Sequence, residues 1–522
     1  LDYSTETDPK KKGSYYLVNS RSDRFDGNLT LAYNKTIDKH MLNVGVGSNI
    51  MQSETEGESF TGVGFINPDM IFIGAANAFQ ENTSPQGTYD KSRLVGFFTN
   101  VNYGYGNRYF LDFSFRSDGS SKFGRNSRFA PFWSLGVAWN VHNESFWHAH
   151  EKNALKLRAS VGSTGTTNFS STQALTTYLY DFSREYNGNF GVSLAGYGNS
   201  SLKWQTTLSY NVGVDFTFLH GLVVFNGDFY IKNTRSLLLP VTVAPSTGFI
   251  DYVENIGKLR NTGVEARLRF NLIQDAVKDL RWNVTLSAFH NRSKITQLSN
   301  QLETINQYAN DDRANQGTVV YRQFEAGRSQ TALMVVRSGG IDPATGNEIY
   351  IKRNGEMTFE YNHNDKIECG DMKPKIEGNV NTNLNWKGFN LYMLFKYQYG
   401  GKIYNATLAS KVEGVNPLKN ADKRVLYDRW KEPGDHAKFR RIDDTSAPYQ
   451  TTRLVFDNNL LALQSVSLSY ELPRKISQKM YMERVKLLLS STDLFRLSSV
   501  KQERGTSYPF ARTFSIGLNV TF

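Results

Sequence analysis

Val264-Glu265-Ala266-Arg267-Leu268-Arg269-Phe270-Asn271-Leu272 puts every apolar residue at an even number and every polar one at an odd number. Successive side chains of a β-strand point to opposite faces. One face of this segment is therefore Val, Ala, Leu, Phe and Leu, and the other is Glu, Arg, Arg and Asn. The pattern returns in Leu155, Leu157, Ala159 and Val161 against Lys156, Arg158, Ser160 and Gly162. It returns again in Leu280, Trp282, Val284 and Leu286 against Arg281, Asn283, Thr285 and Ser287. Phe389, Leu391, Met393, Phe395 and Tyr397 form a further apolar row. Read along the chain, the alternation predicts about fifteen such strands, many of roughly 10–16 residues, where soluble strands run roughly 3–10. Long, sharply two-faced strands fit a wall with hydrocarbon on one side and water or packed polar groups on the other. A soluble antiparallel sandwich would bury one face equally well, with shorter strands and more Pro-rich turns.

The connections give a second argument. Short links at Thr36–Lys39, Tyr105–Asn107, Leu219–Gly221, Ile273–Lys278 and Trp386–Gly388 alternate with long ones at 52–90, 165–201, 235–254, 296–372 and 401–457. Outer-membrane barrels have short periplasmic turns on one rim and long external loops on the other. The parity holds if 296–372 is external and contains an even number of extra strands. His142–Asn153 and Glu471–Glu483, on the short side, are of intermediate length. The chain ends on one more alternating segment, Phe514, Ile516, Leu518, Val520 and Phe522, with Ser515, Gly517, Asn519 and Thr521 between them. A final amphipathic strand closing on an aromatic residue reads as a barrel-assembly signal; an ordinary terminal strand of a soluble β protein is the alternative. The fold expected is all-β, a transmembrane antiparallel up-and-down barrel.

Composition agrees with that class. Aromatic residues make up 13% of the 522, with 42 Gly and only 13 Pro, as suits many strands joined by turns. The mean hydropathy of −0.47 excludes a helical bundle in lipid. It does not exclude a barrel, because only every second residue of a strand of ~9–11 faces lipid. The net charge of +11 is spread over strands and turns rather than gathered in one patch. Anionic headgroups or a polar lumen account for it at least as well as nucleic acid, which is not expected as a partner. The single cysteine, Cys369, permits no internal disulfide and no Cys-based metal site. Leu1-Asp2-Tyr3-Ser4 lacks the basic start and apolar core of a signal peptide. The chain is expected to begin inside a larger protein.

Several motifs resemble the SusC/RagA family of TonB-dependent outer-membrane transporters. They are Arg108-Tyr109-Phe110-Leu111-Asp112-Phe113-Ser114-Phe115-Arg116-Ser117-Asp118-Gly119-Ser120-Ser121-Lys122-Phe123-Gly124, Pro131-Phe132-Trp133-Ser134-Leu135-Gly136-Val137-Ala138-Trp139 and Leu155–Gly162. Asn255-Ile256-Gly257-Lys258-Leu259-Arg260-Asn261-Thr262-Gly263-Val264-Glu265, Gly340-Ile341-Asp342-Pro343-Ala344-Thr345-Gly346 and Arg512–Asn519 join them. Each is modest alone; six in the family's order, from about residue 27 to the end, are specific. The resemblance implies a 22-stranded barrel filled by an N-terminal plug, of which this chain would supply about 15–17 C-terminal strands. It implies a SusD-like surface lipoprotein as a lid and energy delivered by TonB–ExbB–ExbD to a box near the transporter's N-terminus. Its cargo would be a glycan or a peptide. The plug, the TonB-contacting box and the early strands are not found here. An open sheet in lipid leaves unpaired N–H and C=O groups at its edges, several kcal/mol each, so the first strand, near Gly27–Thr36, and the last are expected to pair with the missing N-terminal part.

Candidate chemistry is sparse. His148 and His150, followed by Glu151, have a spacing that would suit a metal, but no further His or Cys stands near, and a polar turn is the plainer reading. Asp311-Asp312 and the loop Asp342–Glu348 offer oxygen ligands for calcium without EF-hand spacing. Gly339-Gly340 and Gly400-Gly401 read as turns, with no nucleotide-binding arrangement around them. No Ser/His/Asp set or carboxylate pair suggests catalysis, so the chain is not expected to be an enzyme. Arg158, Glu265, Arg267 and Arg269 are expected to face the lumen, towards the plug or a substrate. Tyr178, Tyr180, Tyr186 and Tyr197, on an external loop, are the substrate-contact candidates, since aromatic rings stack on sugars and pack on peptides; self-packing or contact with the lid would account for them too. Active import of a bulky nutrient, an oligosaccharide first, is the function expected. An oligopeptide importer and a passive porin-like channel are the alternatives, and an adhesin or surface enzyme would need a module that is not visible.

Overall fold

A computed structural model describes the chain except residues 1–7, 9–12, 66, 68, 70–71, 81–84, 149–151, 167–173, 188, 197, 243–250, 256, 299–305, 307–322, 417, 419–420, 445 and 501–511. Fifteen strands follow one another in a single sheet. They are β1 (Ser14–Ile37), β2 (His40–Val63), β3 (Gln86–Tyr105), β4 (Tyr109–Ser120), β5 (Phe129–Asn140), β6 (Ala154–Thr166), β7 (Gln205–Phe218) and β8 (Val223–Arg235). They continue with β9 (Lys258–Asp275), β10 (Leu280–Gln297), β11 (Ile376–Trp386), β12 (Phe389–Tyr399), β13 (Leu460–Glu471), β14 (Arg484–Ser498) and β15 (Thr513–Thr521). Each pairs antiparallel with the next in sequence; a two-residue strand, Ala78–Phe79, adds to β2. Among the described residues β1 and β15 each have a single neighbour along this path, so the wall is a partial barrel and does not close on itself.

The register turns the alternation into faces. Leu111, Val137, Ala159, Val212, Phe229 and Val264 lie side by side across β4 to β9. Leu155, Phe216, Phe225, Leu268, Leu286, Val380 and Phe395 continue the same face across β6 to β12. Neither Leu268 nor Leu286 is buried, and Ile516 is largely exposed. These rows form an apolar surface, not the inside of a soluble core. Aromatic residues collect where the short links lie: Tyr109 stacks on Trp139 with centroids 6.5 Å apart, and Phe389 on Tyr470 at 4.2 Å, with Trp386 exposed nearby in sequence. Such belts mark the lipid–water boundary of barrels. The link from β11 to β12, Lys387-Gly388, has positive φ at both residues (46° and 85°), the geometry whose twist matches two antiparallel strands. A Cβ on Gly388 would stand 2.6 Å from the Glu471 carbonyl.

The strands outrun the sequence reading at one end. β1 begins at Ser14 rather than near Gly27, and β2 continues to Val63 through what reads as loop. In Asn19–Asp26 and Met51–Glu58 both faces are mostly polar, so the period of two leaves no trace. At 24 residues each, these strands reach about 80 Å at roughly 3.3 Å per residue. A hydrocarbon band of ~25 Å, even crossed at a tilt, leaves their upper parts in water. Among the described residues, the link between β10 and β11 contains four short strands, Ala332–Ile341, Glu348–Ile351, Met357–Thr358 and Lys366–Asp371, in a sheet of their own. That even number keeps the parity of the rims.

Candidate functional site

Two features can meet a solute: the polar face of the wall and the structure above it. Arg158, Glu265, Arg267 and Arg269 all stand on the face opposite the apolar rows. Arg158 on β6, Gly213 on β7, Asp228 on β8 and Glu265 on β9 share one row. Gly213 is the gap through which Arg158 reaches Asp228; a Cβ there would fall 2.6 Å from Asp228 Oδ1 and 2.8 Å from the guanidinium carbon. Arg158 donates from Nε and Nη2 to both oxygens of Asp215 (2.8 and 3.1 Å) and from Nη2 to Asp228 Oδ2 (3.2 Å). Asn226 donates to Asp215 Oδ1 at 2.8 Å. Arg158 is therefore held by its own wall. Arg267, opposite Asn226 and Ser287, and Arg269, opposite Val224 and Thr285, have no carboxylate partner among the described residues. A polar hollow of about 440 Å³ is lined by Arg158, Asp215, Asp228, Glu265, Arg267 and Asn381. Nearer the short-link rim, Asn390 donates to Asn385 (2.6 Å) and Asn383 (3.2 Å), and Asn385 to Asn383 (2.6 Å).

The tyrosine candidates fall on a hairpin of Thr177–Tyr186 with Asn189–Gly196. Tyr178 is exposed. Tyr180 follows two residues on, whereas a register shift between Asp181 and Glu185 interrupts the ladder before Tyr186. Tyr197 lies outside the described residues, as do Asp311, Asp312, His150 and Glu151. His148 Nδ1 is 2.7 Å from the Phe146 carbonyl. Asp342 caps its own turn, accepting from the Thr345 hydroxyl (2.6 Å) and amide (3.1 Å) and from the Ala344 amide (3.3 Å). The Thr345 hydroxyl bond, with the two amides, holds its carboxyl below the usual carboxylate range despite some burial. Glu348 is buried and bonded to Thr451 and Arg453. Among the described residues no three of His, Cys, Asp and Glu gather as a metal site.

The sequence reading missed a folded body made by the links β10–β11 and β12–β13. Ala332 to Val336 is a continuous buried run, as a strand covered on both faces requires. Val336 pairs in parallel with Thr451 of the second link. Tyr404, Ala409, Val412, Val425, Phe439 and Leu454 form the apolar core beside it. Through this body runs a buried ionic chain. Arg453 donates from Nε (3.1 Å) and Nη2 (2.9 Å) to the two oxygens of Glu348 and from Nη1 to Glu413 (3.0 Å). Arg440 donates to Glu413 (2.7 Å) and Asp444 (2.5 Å), and Thr451 to Glu348 (2.7 Å). Arg429 donates to the carbonyls of Val412, Glu413, Arg440 and Arg441 at 2.5–2.8 Å. Glu348 is 3% exposed and Glu413 0%. Burial pushes the Glu413 carboxyl up, but the Arg453 and Arg440 guanidiniums overcome it and hold it below the usual carboxylate range. Burial likewise pushes the Tyr350 and Tyr404 phenols far up, so both stay neutral. The only local trace in the sequence was the apolar run 332–336; Glu348 and Arg453 are 105 residues apart.

A sequentially paired wall with one apolar face, one charged face and an aromatic belt defines a segment of an outer-membrane β-barrel, and the chain lies in that membrane. The model of the TonB-dependent receptor-like β-barrel family matches residues 1–347, and the chain belongs to that family. It is 26% identical to TonB-dependent receptor P3 of Formosa agariphila over 94% of this chain and 52% of that protein. It is 27% identical to TonB-dependent receptor SusC of Bacteroides thetaiotaomicron over 62% of this chain and 32% of that protein. The structure of the RagAB peptide transporter superposes with a TM-score of 0.85 at 22% identity, covering 98% of this chain and 56% of that one. These matches bear out the SusC/RagA resemblance, and none of them is an enzyme. The chain spans about half the length of the curated relatives it matches first.

Proposed function

We propose that this chain is the C-terminal part of the barrel of a TonB-energised importer, which carries a bulky polar nutrient, an oligosaccharide, into the periplasm beneath a SusD-like surface lipoprotein. The observation that carries this reading is the wall itself: a fifteen-strand apolar-outside, polar-inside surface of the family's architecture, joined by a folded body with its own core. Cargo held under the lid would enter when a plug, supplied by a part of the protein outside this chain, rearranges on a pull from TonB, driven by ExbB and ExbD. Arg267 and Arg269 are among the charges free to meet that plug. The choice of an oligosaccharide draws support from the neutral amide cluster Asn383, Asn385 and Asn390. Such a surface offers hydrogen bonds to hydroxyls without selecting for charge. Tyr178, exposed on its hairpin, would offer a stacking face.

The test is uptake in a strain lacking the gene, on a panel of oligosaccharides and oligopeptides, with and without TonB. Loss on one oligosaccharide class, abolished equally by TonB inactivation, is the expected result. Loss on peptides alone overturns the cargo; uptake that survives TonB inactivation makes the barrel a passive channel; unchanged uptake everywhere overturns transport.

A further inference from the structure

On the rim of short links most connections are tight turns, but the one between β13 and β14 contains a helix, Arg474–Lys479, entered from Pro473. The Ser477 hydroxyl reaches back to the Pro473 and Arg474 carbonyls (3.5 and 3.3 Å), and Ser477 is the buried residue of the helix. Ile476 and Met480, the residue that caps the helix, lie four apart and so on one side, and each is 48% exposed. Tyr481 follows at φ +58° and is 94% exposed. Lys475 and Lys479 also lie four apart, beside the apolar face, and have no carboxylate partner among the described residues. Arg474 has only a long contact with Glu483 (3.9 Å), and Glu471 is held by Arg484.

The surroundings say what this surface meets. The link leaves the wall at Tyr470, which stacks on Phe389 in the aromatic belt, with the Lys387 amine 5.8 Å from the Trp386 ring beside it. It re-enters at β14, whose Leu487 and Leu489 are exposed on the apolar face, level with Tyr470 and Leu468. The exposed apolar residues of the helix thus follow directly on the lipid-facing rows, at the depth where headgroups begin. A short helix with apolar side chains on one face and cations on the next is the composition that lies in a membrane interface, the lysine stems along the hydrocarbon and the amines among phosphates.

We propose that Arg474–Tyr481 is an interfacial foot: Ile476, Met480 and Tyr481 enter the acyl boundary of the periplasmic leaflet, and Arg474, Lys475 and Lys479 hold the phosphates of anionic phospholipids. The foot fixes the height of the barrel's last hairpin in the bilayer. Single nitroxides at Met480→Cys and, as a control in a two-residue turn, Asp38→Cys, each in a Cys369→Ser background of the full-length protein, test this in phosphatidylethanolamine–phosphatidylglycerol vesicles. The expected ratio of oxygen to nickel-chelate collisions at 480 is several-fold above that at 38. An equal ratio puts the helix in water, as a surface for a periplasmic protein, and overturns the proposal. In native mass spectrometry of the protein extracted with its lipids, Lys475→Glu/Lys479→Glu is expected to lose bound phosphatidylglycerol relative to wild type. An unchanged lipid count overturns the headgroup assignment.

Discussion

Arg453→Met tests whether the body above the wall is held by its buried charges. The substitution keeps the aliphatic stem and removes the guanidinium that joins Glu348 to Glu413. Glu413 retains Arg440, but Glu348, 3% exposed, keeps only the Thr451 hydroxyl. Removing one member of a buried ionic group costs about 3–5 kcal/mol, most of it the stranded charge. At about 1.4 kcal/mol per factor of ten, local opening rises roughly 10²- to 4 × 10³-fold while the wall stays intact. Cys369 reports that opening. Its thiol is 3.3 Å from the Leu333 carbonyl, in the strand paired with the buried run, and burial pushes it up towards the protonated, unreactive form. Where closing is faster than alkylation, the iodoacetamide rate follows the open population, so it should rise by the same factor. Heat-modifiable migration on gels should be unchanged, showing an intact barrel. Adding Glu348→Gln should recover part of the loss, because the stranded charge is then gone. Alkylation of Arg453→Met at the wild-type rate, with the barrel intact, would refute the claim that this network holds the two links together.

Acid should loosen the same body. Glu413 is held below its ordinary value of 4.5, so its stabilisation is full above that pH and is lost as pH falls through the lowered value. Hydrogen exchange at 332–341, corrected for intrinsic rate, should be flat from neutral pH down to about 4.5 and rise below it; a rise between pH 7 and 5 would contradict the assignment. Leu268→Lys places a charge on the lipid face and should cost about 2–4 kcal/mol if the site is near the bilayer midplane. Arg267→Lys, one residue away on the other face, should leave stability close to wild type in urea refolding into vesicles, and equal losses would refute the assignment of faces. Gly213→Val should part Arg158 from Asp228 and lower the urea midpoint of refolding into vesicles, and Arg158→Met should add little to that loss; additive losses would show that the two do not act through one contact.

Most of the wall was legible, because lipid makes a demand at every second residue. Val264–Leu272 shows that demand without interference, and so does Phe514–Phe522. Where β1 and β2 rise out of the bilayer, around Asn19–Asp26, no such demand exists, and those parts of the strands escaped notice although their ladders are unbroken. The body above the wall escaped for another reason. Its stability comes from pairs such as Glu348–Arg453 and Val336–Thr451, over a hundred residues apart, and no local period records a partner at that distance. Arg158 shows both sides of this. Its face was readable from parity, while its partners Asp215 and Asp228 depended on register across two neighbouring strands and on the gap at Gly213.

Each strand pairs with its successor, so alternate ladders are closed by the short links, most of them turns of a few residues, and the others span links that are mostly long. Lengthening a connection that is already long changes its closure entropy little, by about 0.6 kcal/mol per doubling. The upper rim can therefore gain, lose or exchange whole segments between descendants of one gene without disturbing the hairpins beneath it. A tight turn such as Lys387-Gly388 tolerates no such edit. Diversification of such proteins should run along one edge of the cylinder, with the opposite edge nearly constant in length.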